Sequence, residues 1–274
     1  MGKRLPKRVQ RAIADFPGVL TLLGKISSGV VEEIVTPEGY SLEINTLFHS
    51  NLVMNGSLAG YESDVRRAIT RLTRPGFTAY DIGANVGIFS FLFLSLVGPQ
   101  GHVYAFEPEP NNRECLGHSI AKVAAENITL DTRAVGDKVN TAMFDRRGGA
   151  FSGRLISDNA KYNPTDNIIE VKTVTLDKLV DDENYQLPDI MKIDVEGNEV
   201  LVLSGMANIF AKNPPIIICE LHSHLGDSVD EIAVILKKYK YHIYAIADFL
   251  NVPMSELKEI SSLKGVRHVV AIPA

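Results

Sequence analysis

Four stretches of this sequence carry residue types from which a reaction site can be built: YDIGANVG at 80–87, GHVYAFEPEP at 101–110, MKIDVEGNE at 191–199 and CELHSH at 219–224. In the first, Asp81, Gly83, Asn85 and Gly87 follow the order D-x-G-x-N-x-G. A dinucleotide fingerprint anchored at Gly83 requires glycines at 85 and 88, where Asn85 and Ile88 stand. The carboxylate of Asp81 bears on the same choice, because a pyrophosphate seeks helix N-terminal amides with no anion beside it. A ligand with a sulfonium and an ammonium, such as S-adenosylmethionine, gains instead. One unit-charge pair at about 4 Å and an effective dielectric near 20 contributes roughly 4 kcal/mol before desolvation. Glu107 closes the second stretch, where an acid about 20 residues beyond the glycine turn accepts hydrogen bonds from both ribose hydroxyls. NAD and S-adenosylmethionine share that ribose, so Glu107 does not separate them. A buried strand with a glycine turn and a solvated acid is the structural alternative.

In the third stretch Asp194 stands at the carboxyl end of a strand, on the same rim as Asp81 and Glu107. It suits an acceptor-facing role, orienting or deprotonating a nucleophile, and it equally suits a cap on the following helix, whose positive end Glu196 and Glu199 favour. In the fourth stretch Glu220, His222 and His224 share one face if the strand stays extended. Carboxylate and imidazole at that spacing can bind a divalent metal, act as an acid/base pair, or be polar residues where a strand meets water. Asp194 with Glu220 places two carboxylates on adjacent strand ends, a set that suits magnesium, and His222 extends the candidate metal set.

These groups need strands to carry them to one rim. Residues 80–110 read as strand, glycine turn, helix, strand, and a helix from Pro110 and a strand at 128–135 follow. Three strands joined by two helices form the first half of a doubly wound sheet whose loops meet at the strands' carboxyl ends. Before them, 30–44 reads as a hairpin around Pro37, Glu38 and Gly39, 49–60 as a loop, and 61–72 as a helix with Val65, Ala68, Ile69 and Leu72 on one stripe. After them, 137–175 breaks the rhythm with short strands at 141–146, 151–156 and 168–174 around Gly148-Gly149. We read it as a β insertion beside the cofactor cleft. A helix at 175–180, a fourth parallel strand at 188–193, a helix at 196–203 and a fifth strand at 215–221 come next. The segment around Ile209 leads into that fifth strand. Ser228 and Glu231 form a capping box, and strands at 241–246 and 266–272 end the chain. The insertion and the 49–60 loop are expected to close over the cofactor or shape the acceptor pocket. The economical division is an N-terminal extension at 1–60 and one domain at 61–274.

Bulk properties narrow the class. The chain has 274 residues, 45% of them apolar, enough for a globular core. The longest apolar run, 86–97, is too short to span a bilayer and reads as a buried helix. No hydrophobic region with a small-residue cleavage site opens the chain, and Cys115 and Cys219 suggest no disulfide framework, so the cytoplasm is the expected compartment. Net charge −5 argues against a nucleic-acid-coating role. The basic cluster at 3–11 reads as a solvated end.

Taken together, YE at 61–62, DIGANVG at 81–87, VYAFEPEP at 103–110, AVGD at 134–137, VTLDKL at 174–179, KIDVEGNE at 192–199 and CEL at 219–221 resemble the FkbM-type S-adenosylmethionine-dependent methyltransferases. The resemblance implies an α/β class I methyltransferase fold, a Rossmann-like doubly wound sheet of seven strands with the last antiparallel. It implies that Asp81, Gly83, Asn85 and Gly87 hold the methionine end, that Glu107 with Pro108 holds the ribose, and that Ala134 and Val135 flank the adenine. Tyr61, Glu62 and Asp194 complete the implied cofactor contacts. It further implies O-methylation of a sugar, glycolipid or polyketide, with a small-molecule hydroxyl acceptor as partner; since an aliphatic hydroxyl is a poor nucleophile, some group must take its proton, and Asp194, Glu220 and His222 are the candidates in that order. A homo-oligomer is compatible with it. An NAD(P)-dependent oxidoreductase and a non-catalytic binding protein on the same fold are the alternative readings.

Overall fold

The computed structural model describes residues 31–46, 48–50, 52, 58–146, 153–156, 167–222, 229–253, 255–260 and 262–274. The basic N-terminal cluster, Gly148-Gly149, His224 and Ser228 of the expected capping box lie outside them. Half of the 49–60 loop does too.

The chain opens with the hairpin β1 (Val31–Val35) and β2 (Ser41–Asn45), paired antiparallel. Helix α1 (Ser63–Leu72) follows, with the expected stripe Val65, Ala68, Ile69 and Leu72 buried. Then come β3 (Thr78–Ile82), α2 (Ile88–Val97), β4 (His102–Phe106), α3 (Pro110–Val123) and β5 (Ile128–Asp131). Helix α2 is buried on nearly every side, as a run with hardly a polar residue requires. Helix α3 starts where Glu109 caps it, accepting from the Asn112 N–H at 2.8 Å, with Pro110 pre-setting the first turn.

The second half supplies α4 (Leu176–Asp182), β10 (Ile190–Ile193), α5 (Glu199–Ser204), α6 (Ala207–Lys212), β11 (Ile216–Glu220), α7 (Val229–Lys238), β12 (Tyr241–Ala245), α8 (Ile246–Asn251) and β13 (His268–Pro273). Seven strands form one sheet in the order β12-β13-β11-β10-β3-β4-β5. All neighbours are parallel except β13, which runs antiparallel to β11 and β12. This is the expected seven-stranded class I methyltransferase arrangement. Helices α1 to α3 and α8 cover one face and α4 to α7 the other, giving two apolar layers. Strands β3 and β10 are buried along their whole length, and the winding reverses between them, so the crevice at their carboxyl ends is where an open α/β sheet binds ligand.

Between the halves lies a smaller sheet in the order β6-β9-β7-β8, built from β6 (Ala134–Val135), β7 (Thr141–Asp145), β8 (Arg154–Leu155) and β9 (Ile168–Val174). The β insertion is therefore real, and it takes part of an expected core strand. The run 128–135 divides after Asp131, because Arg133 folds back on the Asp131 carboxylate and reaches Glu183. Ala134 and Val135 then pair with β9. Three further differences have local causes. The helix expected at 196–203 starts only at Glu199, since Glu196 (φ 54°) and Gly197 (φ 93°) are left-handed; Asn198, not Asp194, occupies the cap position. The segment around Ile209 is a helix of its own, α6, whose first N–H groups are bonded by Asp177. Helix α8 follows β12 directly and was not expected.

Candidate active site

The crevice at the ends of β3, β4 and β10 is a cavity of about 490 Å³. Its floor is the turn after β3. The N–H groups of Gly83 and Ala84 donate to the Phe106 carbonyl at 3.1 and 3.0 Å, and Asn85 (φ 52°) then turns the chain into α2. Gly83 has φ +81°, and a Cβ there would overlap the carbonyl oxygen of Asp194. Only glycine fits. Glu107 stands on the next strand end. Its Oε2 accepts the Asn85 N–H at 2.7 Å and its Oε1 the Glu109 N–H at 2.8 Å. Burial outweighs these bonds and pushes its carboxyl up to about 8.

Of the expected cofactor contacts, Tyr61, Glu62, Gly83, Asn85, Glu107, Pro108, Ala134, Val135 and Asp194 line the cavity. Asp81 and Gly87 do not. Asp81 lies fully buried beneath the turn, where Ser90 donates to Oδ2 at 2.6 Å and the Lys192 ammonium is 3.9 Å from Oδ1. Burial raises its carboxyl and Lys192 opposes the rise. Asp81 therefore acts on the cavity through the turn and through Lys192. Glu62 sits at the start of α1 with φ 41°, and its Oε2 is buried with no hydrogen-bond partner. Burial raises its carboxyl. Phe144 and Leu155 of the insertion close the side near Ala134.

The opposite wall is charged. Asp194, Glu196 and Glu220 line it, with His222 buried behind them. The Nδ1–H of His222 donates to Glu199, itself wholly buried, at 2.7 Å. Its Nε2 faces Glu196 at 3.4 Å, Glu220 at 3.5 Å and Asp194 at 3.9 Å. Burial alone lowers an imidazole, but Glu199 and Glu196 outweigh it and hold His222 up at about 9. Glu196 is pushed up to about 7 by burial and the neighbouring acids, against the pull of His222. Glu220 goes the other way: burial raises it, but His268 at 3.4 Å, Arg267 at 2.9 Å and His222 together bring it down to about 2.

Sequence reading missed Lys192. Its ammonium is 3.0 Å from Asp194 Oδ2 and 5.1 Å above the Phe89 ring, and it lines the cavity between the two aspartates. Burial opposes its charge, yet Asp194, Asp81 and Glu62 hold it above its ordinary range. A signal exists: in register, Lys192 sits opposite Asp81 on the adjacent strand, a lone cation in an otherwise apolar strand. Glu196 and Glu199 were read as helix-end charges. The two left-handed residues that turn Glu196 to the wall carry only the signal of Gly197.

A model of the methyltransferase FkbM domain matches residues 81–243. The chain is 25% identical over 221 residues to the hexuronic acid methyltransferase AglP of Haloferax volcanii, covering 79% of this chain and 83% of that protein. It is 26% identical over 201 residues to the 31-O-demethyl-FK506 methyltransferase FkbM of Streptomyces tacrolimicus, covering 64% and 76%. Against the crystal structure of a methyltransferase FkbM from Methylobacillus flagellatus KT the TM-score is 0.48 at 14% identity, over 75% of this chain and half of that one.

Proposed function

The chain belongs to the FkbM methyltransferase family, and from that premise we propose that it is an S-adenosylmethionine-dependent O-methyltransferase acting on a small hydroxyl-bearing acceptor such as a sugar, glycolipid or polyketide. The Glu107 cradle carries this reading. Two backbone N–H groups and the Asn112 side chain fix the carboxylate at the cavity edge, and a carboxylate so held retains acceptor capacity for the hydroxyls of a ribose. The rest of the cavity fits the same ligand. Ala134, Val135 and Phe144 offer apolar walls for the adenine, and the partnerless Oε2 of Glu62 suits an ammonium. The volume falls in the range of about 300–1,000 Å³ usual for such sites. Residues 61–274 form the catalytic unit in this reading, with 1–60 as an extension.

S-adenosylmethionine, when bound, supplies a methyl group activated by its positive sulfur. An acceptor hydroxyl oxygen bonds to that carbon in line as the carbon–sulfur bond breaks, S-adenosylhomocysteine leaves, and the hydroxyl proton passes to the protein. Asp194 is the group we assign to receive it, because it lines the cavity beside the Gly83 turn with Oδ2 fixed by Lys192. Glu220 is held by Arg267 and His268, and His222 lies behind the wall, so both are poorer acceptors. Holding the two reactants in a near-attack arrangement supplies up to about 7–11 kcal/mol in favourable cases. The acceptor class is supported by the activities named for the two relatives, each at about one quarter identity.

Calorimetric titration with S-adenosylhomocysteine, and mass spectrometry of hexuronic acid glycosides and polyketide alcohols incubated with S-adenosylmethionine, test the reading. Binding and a gain of one methyl group are expected. Tight NADH binding without S-adenosylhomocysteine binding would overturn it. Asp194→Asn is expected to lower kcat by about 10²–10⁴. Full turnover with unchanged cofactor affinity removes Asp194 from the role.

A further inference from the structure

We propose that Asp194, Glu220 and His222 form a binding site for one divalent cation of the Mn²⁺ type, oriented from behind by Glu199. The donor atoms are already gathered: one atom each from Asp194, Glu220 and His222 lies within 4.8 Å of the others. Glu196 Oε2, 3.4 Å from the same imidazole nitrogen, borders this set. An ion about 2.1 Å from each ligand needs neighbouring donors about 3 Å apart and opposite ones about 4 Å apart, and Glu220 and Asp194 lie 3.5 and 3.9 Å from Nε2.

The imidazole is built as a ligand. A ligating histidine donates its other N–H to a carboxylate, which sets tautomer and ring direction, and Glu199 accepts that bond at 2.7 Å while wholly buried. The remaining oxygen of Glu199, Oε2, is buried with no hydrogen-bond partner, so this carboxylate is kept at a desolvation cost. Charge points the same way. Four carboxylates converge on His222, with Lys192 and Arg267 at the edge, and a divalent ion at Nε2 would take the place of the proton that these carboxylates hold on the ring. Lys192 takes Asp194 Oδ2 and leaves Oδ1 toward the imidazole. Backbone strain marks the same place, since Glu196 holds a left-handed conformation that turns it to the wall. One nitrogen among carboxylate oxygens suits Mn²⁺ better than a soft metal.

A second cluster, Glu62, Glu220 and His268, shares Glu220 but already holds a cation: Arg267 lies 2.9 Å from Glu220 and 3.9 Å from Glu62. An ion on the first cluster would sit in the cavity wall where the acceptor hydroxyl is to lie, and would make that hydroxyl more acidic. That consequence, though not the site itself, rests on the methyl-transfer reading.

Full-length protein freed of metal with EDTA is titrated with Mn²⁺, following the loss of the free-ion electron paramagnetic resonance signal, with S-adenosylhomocysteine calorimetry on the same samples. One saturable Mn²⁺ per chain is expected. His222→Ala is expected to abolish it, and Asp194→Asn to weaken it at least 10-fold. Glu199→Gln is expected to weaken it about 10–100-fold. Circular dichroism melts verify that each variant is folded. Wild-type protein that binds S-adenosylhomocysteine but takes up no Mn²⁺ overturns the site and spares the donor assignment; uptake of Mn²⁺ without S-adenosylhomocysteine binding does the reverse. Uptake that survives in both folded His222→Ala and folded Asp194→Asn also overturns it.

Discussion

At the scale of single residues, the cavity gathers groups held away from their ordinary states. Glu107 keeps its proton to about pH 8 in the folded chain against about 4.5 in the unfolded one, because burial disfavours its charge. The folded protein therefore binds the extra proton between those values, and this residue's contribution to stability falls as pH rises through that window. In the proposed reading ribose hydroxyls donate to the ionised form, so cofactor binding would expel the proton. S-adenosylhomocysteine affinity is expected to climb with pH and level off above about 8, and Glu107→Gln to weaken binding and flatten the profile, both read by calorimetry across pH. Glu62 bears a different cost, a left-handed backbone and a partnerless buried oxygen. Glu62→Gly relieves both. A gain of roughly 1 kcal/mol, seen as a Tm rise of about 2–4 °C, is expected together with weaker cofactor binding. A lower Tm would show that Glu62 is not strained. Glu107 and Asp194 were legible in the sequence because an acid at the end of an apolar strand has few other reasons to be there, whereas Asp81, read the same way, lies beneath the turn rather than in the cavity. Lys192 was not legible, because its meaning lies in the residue opposite it on another strand. Glu196 was not either, because two left-handed residues redirect it.

At the scale of elements, strands and helices with strong periodicity were readable to within a few residues, including all seven strands of the main sheet. Where reading failed, a tertiary contact outvoted the local pattern. The run 128–135 looks like one strand until Arg133 binds Asp131 and Glu183 and hands Ala134 and Val135 to the smaller sheet. Helix α8 is six residues long, too short to show a period. The turn after β3 was legible through its glycines, and its tolerance is now definite. Gly83→Ala places a Cβ on the Asp194 carbonyl and a side chain at positive φ. We expect a loss of about 1–3 kcal/mol or more in urea unfolding and abolished S-adenosylhomocysteine binding in whatever folds.

At the scale of the whole molecule, the N-terminal hairpin is part of the frame. Leu42 and Ile44 have no exposed surface and share the apolar layer of α1 to α3, and the Glu43 N–H donates to Ser119 on α3 at 2.8 Å. His49, equally buried, bonds Asn112 at 2.9 Å, three residues beyond the Glu109 cap. Leu42→Ala is expected to cost about 2–5 kcal/mol by urea denaturation, as for any core leucine; a cost under about 1 kcal/mol would mark the hairpin as a detachable appendage. No described helix is long and apolar enough to cross a membrane. The contact between Gly83 and the Asp194 carbonyl has a consequence for motion. The Asp194 N–H also donates to the Ile82 carbonyl at 3.0 Å, so the turn that is to seat the methyl donor and the strand end that is to meet the acceptor are clamped backbone to backbone. They form one anvil. In the proposed reading, the spacing between donor and acceptor would be inherited from the sheet rather than assembled at each turnover.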